Sequence, residues 1–144
     1  TKVRILPLKA GVRRLEFDTT ITALIDDLSL GGSEDAKGYG GFAMRLAAPA
    51  GLAFSSGGKA IAPSATPVAA ANSMGFSWPK QPGLSKWAVG LSCKANGKAL
   101  TQWILRRESS MQNCAWPGRA MVALPKGQSI RLQSTLVIVP GKGK

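Results

Sequence analysis

Short runs of alternating apolar and polar residues dominate this chain. Residues 41–46 (GFAMRL) set Phe42, Met44 and Leu46 on one side and Ala43 and Arg45 on the other. That is the pattern of a half-buried strand. Residues 86–93 (KWAVGLSC) place Trp87, Val89 and Leu91 on one face. Asn96-Gly97 follows, a dipeptide suited to the positive φ angles of a two-residue hairpin turn. Residues 99–106 (ALTQWILR) are therefore expected to return beside 86–93. Residues 129–139 (SIRLQSTLVIV) alternate through Ile130, Leu132, Ser134 and Leu136 before turning wholly apolar.

Residues 2–9 and 12–18 read as short strands around an Ala10-Gly11 break, and the β-branched run 19–25 (TTITALI) as another. Residues 119–124 (RAMVAL) add one more. Asp26-Asp27, Gly31-Gly32 and 125–128 (PKGQ) read as turns, and 33–38 and 107–118 as polar loops. Residues 47–75, rich in Ala, Pro, Gly and Ser, are the least regular, with short candidates at 52–55 and 59–62. No heptad, helical stripe or internal repeat is present. The expected fold class is all-β: an antiparallel β-sandwich, or part of a larger one, with roughly eight to ten short strands. A length of 144 residues suits one domain spanning 1–144.

Charge changes this picture by its position. The net charge is +12. Six of the seven acids lie in residues 1–35, whereas residues 36–144 hold fourteen basic residues against Glu108 alone. So basic a body attracts anions at low salt. The partner classes this admits are nucleic acid, acidic polysaccharide, lipid headgroups and acidic protein. The alternatives are mere solubility or an acidic partner segment. No RNA-binding signature or zinc-finger spacing accompanies the charge. No run approaches the roughly 18 apolar residues that span a bilayer, and no signal-peptide pattern opens the chain.

The chain contains no histidine. That excludes a Ser-His-Asp or Cys-His device and any histidine-bearing metal site. No phosphate-cradling P-loop is present, and the GYGG run at 38–41 precedes a strand rather than a helix. The expected catalytic residues, metal and cofactors are therefore none. Asp26-Asp27 and Glu34-Asp35 read as turn chemistry before paired catalytic carboxylates. Glu108 follows Arg106 and Arg107, so an ion pair with a nearby cation is expected there. Cys93 closes a strand-like run and Cys114 sits in a loop-like stretch, so two separate thiols are expected over a bridge.

Four tryptophans stand among nine aromatics. Trp87 and Trp103 lie on apolar strand faces and read as core. Trp78 and Trp116 each precede a proline in loop-like sequence. They read evenly as stacking platforms for a sugar or base, or as side chains folded back on the core. Arg45, Arg106 and Arg107 are the candidate anion contacts, with salt bridging to the acidic loop as the alternative, favoured for Arg45. The tail GKGK reads as a short basic extension.

Residues 34–46 (EDAKGYGGFAMRL), preceded by TITALIDDLSLGGS, resemble the middle of a bacterial family of uncharacterised proteins commonly labelled methane-oxygenase-like. Residues 102–118 (QWILRRESSMQNCAWPG), followed by VALPKGQSIRLQSTLVIVPG, resemble its C-terminal part. Order and spacing extend the resemblance over 12–141. It implies the later portion of a longer protein with the galactose-mutarotase-like supersandwich architecture, whose members bind or process sugars on a concave sheet. By that resemblance Tyr39, Arg45, Trp103, Arg106, Gln112 and Asn113 are the positions to watch. The family pattern carries His-Pro just after the strand ending at Cys93, where this chain has Lys94-Ala95. The leading expectation is a carbohydrate-binding β-sandwich without its own catalytic centre. Its ligand would be held by Tyr39, Arg45, Trp78, Trp103, Arg106, Gln112, Asn113 and Trp116. The alternatives are an electrostatic nucleic-acid or polyanion binder and a fragment of a sugar-processing enzyme. A secreted or periplasmic setting is favoured; oligomeric state is left open.

Overall fold

The computed structural model describes residues 1–31, 35 and 37–141. Glu34 and the last three residues of the GKGK tail lie outside them. Among the described residues there are fourteen strands: β1 Lys2–Ile5, β2 Arg13–Thr22, β3 Leu28–Leu30, β4 Phe42–Arg45, β5 Ala53–Ser56, β6 Lys59–Ile61, β7 Ser64–Ala69, β8 Ser73–Ser77, β9 Trp87–Ala95, β10 Lys98–Ala99, β11 Gln102–Leu105, β12 Met111–Cys114, β13 Val122–Leu124 and β14 Ser129–Pro140. Two 3-10 turns, Pro49–Gly51 and Glu108–Ser110, accompany them, and no helix there is long and apolar enough to cross a membrane.

The large sheet runs β1-β2-β14-β9-β8-β5-β6, with β10 hanging on β9. A four-stranded sheet, β4-β12-β11-β7, covers part of it, and a β13-β3 ribbon stands beside these. All pairings are antiparallel. The fold is thus an antiparallel β-sandwich. Its main core is built by alternation: Phe54, Met74, Phe76, Val89 and Leu91 point inward from the large sheet and meet Trp103 and Leu105 of the small one. A second apolar cluster, Ala23, Leu124 and Ile130, seats the ribbon on the ends of β2 and β14.

Several expectations change. Residues 12–18 and 19–25 are largely one strand, β2, because β14 pairs with it over ten residues without interruption. Asn96-Gly97 does turn the chain, with φ of 45° and 79°. The return is only β10, and residues 102–105 then cross to the small sheet. Trp103, Ile104 and Leu105 are all fully buried, a continuous apolar run that needs cover on both faces. The irregular stretch 47–75 holds three strands and the start of a fourth, and the loop expected at 107–118 contains β12. Strands of two to four residues raise the total above ten. Cys93 and Cys114 form a disulfide between β9 and β12, not separate thiols. Both face the core from opposite sheets, a proximity that spacing does not reveal.

Candidate ligand cleft

The small sheet leaves the β2–β14 side of the large sheet partly uncovered, and a cleft of about 330 Å³ opens there. Its floor is Phe17, Thr19 and Ile21 of β2 with Leu132 and Ser134 of β14, the inward-facing positions of two adjacent strands. One wall is Gly40, Gly41, Phe42, Trp116 and Pro117, and Leu30 and Gly31 close the other side. Phe17 and Phe42 meet with ring centroids 4.9 Å apart. No charged side chain lines the cleft among the described residues. The polar groups available are the Thr19 and Ser134 hydroxyls and glycine backbone. Thr19 shares a hydrogen bond with Thr1, 2.9 Å long. The Ser134 hydroxyl makes no hydrogen bond among the described residues.

The wall is built by two loops locked together. Asn113, almost wholly buried on β12, donates from Nδ2 to the carbonyls of Gly40 (2.7 Å) and Phe42 (3.0 Å). The Trp116 N–H reaches the Gly40 carbonyl at 3.4 Å. Gly40 and Gly41 have φ of 145° and 72°. A Cβ on Gly40 would lie 2.3 Å from the Trp116 carbonyl oxygen, and one on Gly41 2.5 Å from that of Cys114. The GYGG run is therefore required by close backbone approach, not by a phosphate. The Trp116–Pro117 bond is cis.

The residues singled out from sequence divide into three groups. Trp78 and Trp103 are buried, with Nε1 donating to the carbonyls of Ala47 (2.9 Å) and Ala71 (3.1 Å). Neither can present a stacking face, so both leave the ligand list. Gln112 and Asn113 are buried as well, Gln112 Nε2 donating to the Arg106 carbonyl at 2.7 Å. They hold loops, and their remaining acceptors, Gln112 Oε1 and Asn113 Oδ1, lack a partner.

Tyr39, Arg45 and Arg106 come together on the outer face of the small sheet. Arg45 stands opposite Met111, whose carbonyl accepts the Arg106 N–H at 3.1 Å. Arg106 in turn donates to the Tyr39 hydroxyl at 3.1 Å. Trp116 alone of the eight lines the cleft, half-buried. Trp87, expected in the core, is 40% exposed at the start of β9. Phe17, Phe42, Thr19 and Ser134 were missed as lining residues because alternation marks them simply as inward-facing.

The acids behave as turn and sheet partners. Asp27 has φ of 57°, and Asp26 pairs with Lys126 at 3.2 Å. Glu108 is exposed, in the first position of a 3-10 turn, and makes no ion pair among the described residues, contrary to expectation. On β2, Arg131 of β14 grips both carboxylate oxygens of Asp18, Nε to Oδ1 at 2.8 Å. That hydrogen bonding holds the Asp18 carboxyl below its ordinary value and raises Arg131. Among the described residues no group of three or more His, Cys, Asp or Glu is placed to hold a metal ion.

No curated protein and no solved structure matches this chain. A family model does match over residues 1–144, and on that match the chain belongs to the family of unknown function DUF6807.

Proposed function

We propose that this domain binds an uncharged carbohydrate in the cleft beside Trp116. One observation carries the reading: Phe17, Phe42 and Trp116 border a single uncharged cleft whose floor offers hydroxyls. A sugar ring presents an apolar C–H face to an aromatic side chain and hydroxyls at its edge. Trp116 supplies the first kind of surface, and Ser134, Thr19 and the glycine backbone the second. The volume sits at the lower end of the usual range for ligand pockets, about 300–1,000 Å³. The methane-oxygenase-like and mutarotase-like resemblance adds a sugar-binding precedent on this class of architecture. The disulfide suits a secreted or periplasmic setting.

The test is a titration with neutral, uronic and sulfated oligosaccharides, followed by amide chemical shifts. Neutral sugars should shift Gly31, Gly40, Gly41 and Ser134, and Trp116→Ala should abolish the response. A panel that moves none of these amides sinks the reading.

A second reading rests on Arg45 and Arg106 flanking Met111 on the outer face of the small sheet. Such a row suits a polyanion, and affinity there would fall steeply with salt. Unchanged binding of nucleic acid or heparin by an Arg106→Ala variant at low salt argues against that row.

A further inference from the structure

Arg106 and Arg107 join the end of β11 to the 3-10 turn Glu108–Ser110. Hydrogen bonds fix the backbone on both sides of them. The Arg106 N–H donates to the Met111 carbonyl at 3.1 Å, and the Arg106 carbonyl accepts from Gln112 Nε2 at 2.7 Å. The Arg107 carbonyl accepts the Ser110 N–H at 3.1 Å, and Ser110 Oγ accepts the Leu46 N–H at 2.8 Å. The turn is thus tied to β12 and to the residue that follows β4. A second pocket, of about 290 Å³, opens between this turn and the start of β7. Ser64, Leu105, Arg106, Arg107 and Glu108 line it.

Each guanidinium is held by one nitrogen. Arg107 Nε donates to the Leu52 carbonyl at 2.8 Å, which leaves its Nη1–Nη2 edge. Arg106 Nη1 donates to the Tyr39 hydroxyl at 3.1 Å, which leaves Nε and Nη2. Neither arginine makes an ion pair among the described residues. An anchored guanidinium is a pre-set fork, so little side-chain freedom is lost when an oxyanion binds it. The Ser64 hydroxyl is already used, donating to the Thr66 carbonyl at 2.7 Å. The arginines are therefore the side-chain donors left in the pocket.

Glu108 narrows the choice of ligand. An ionised carboxylate only accepts hydrogen bonds, and it repels a second negative charge. The lining sets two cations against this one acid, a balance that a single carboxylate completes and a dianion overshoots. The volume, at the bottom of the usual range of about 300–1,000 Å³, suits a small molecule.

We propose that this pocket binds a small hydroxy acid, with its carboxylate on Arg107 and Arg106 and a hydroxyl donating to Glu108. Arg107 and Glu108 belong to neither reading given above. The site therefore stands or falls apart from the cleft beside Trp116.

The test is an amide chemical-shift titration of the whole chain at constant ionic strength. The probes are gluconate, hexanoate without the hydroxyls, glucitol without the carboxylate, and inorganic sulfate. Gluconate should shift Ser64, Leu105, Arg107 and Glu108. Hexanoate should bind about tenfold more weakly, the worth of one hydrogen bond to a charged group. Glucitol should not bind, and sulfate should bind more weakly than gluconate. Arg107→Lys keeps the charge but loses the fork, and should weaken gluconate about tenfold or more. Glu108→Gln covers the case in which that variant unfolds, since Glu108 is exposed and unpaired among the described residues. It should weaken gluconate and tighten sulfate, reversing their order. Trp116→Ala should change neither. Sulfate binding as tight as gluconate in the parent chain, gluconate shifts confined to other residues, no binding at all, or an order that Glu108→Gln leaves unchanged overturns the proposal.

Discussion

Gly40 bends the wall of the cleft at φ of 145°, with the Trp116 carbonyl where a side chain would begin. Gly40 cannot move away without disturbing the hydrogen bond that its own carbonyl accepts from Asn113. Gly40→Ala should therefore cost about 2 kcal/mol or more, read from chemical denaturation. Gly58→Ala is the comparison, since φ is also positive there but nothing lies within 4 Å. Its cost should be the backbone term alone, about 1 kcal/mol. Equal losses would mean that the close approach at Gly40 contributes nothing. Asp18 gives a pH prediction. Its carboxyl is held below the ordinary value, so the Arg131 pair is fully stabilising above the unfolded value of about 3.9. The contribution is lost as pH falls through the lower folded value. Asp18→Asn should thus melt lower than the parent by a constant margin above about pH 5. The margin should close as acid is added, and one that is flat into strong acid would contradict the assignment. At this scale the sequence was a partial guide. It could mark Trp78, Trp103, Gln112 and Asn113 as unusual, yet composition does not distinguish a side chain that holds a loop from one that meets a ligand.

Among the elements, legibility followed length and strict alternation. β9 and β14 were readable because nine and twelve residues give period-two burial room to repeat. β7 and β8 were not, since Pro67 and Gly75 interrupt them and their apolar residues are small or few. The Asn96-Gly97 turn was read correctly, but a turn fixes only its immediate neighbours. Where the chain goes after β10 depends on burial of both faces of β11, a tertiary requirement. The disulfide is the element-scale feature with the clearest consequence. Cys93 lies beside Ser134 of the cleft floor, and Cys114 beside Phe42 of its wall. The bridge thus ties floor to wall across the sandwich. It closes a separation of 21 residues, for which the chain-entropy model gives about 3 kcal/mol. The Cys93→Ser, Cys114→Ser double variant should lose about that much stability in denaturant melts. Its hydrogen-exchange protection should fall first at Gly41, Phe42 and Ser134. Loss spread evenly over the large sheet would show that the bridge does not brace the cleft.

For the whole molecule, charge and cleft make separable demands on a ligand. Among the described residues Glu16 and Asp18 of β2, with Asp26 and Asp35, are answered by Arg4, Arg14, Arg131, Lys37 and Lys126. Residues 36–144, with fourteen basic residues against Glu108 alone, carry a net positive field. The cleft has no charged lining among the described residues, so that field acts on it only from a distance. A polyanion should bind through released counterions, with affinity falling linearly in the logarithm of salt. A neutral sugar in the cleft should bind almost equally at low and high salt, because stacking and hydroxyl hydrogen bonds release no counterions. Trp116→Ala tests the separation. It should remove sugar binding and leave retention on a heparin column unchanged. Arg106→Ala should do the reverse, shortening retention while sparing the sugar. If Trp116→Ala shortens heparin retention as much as Arg106→Ala does, cleft and charge belong to one anionic site.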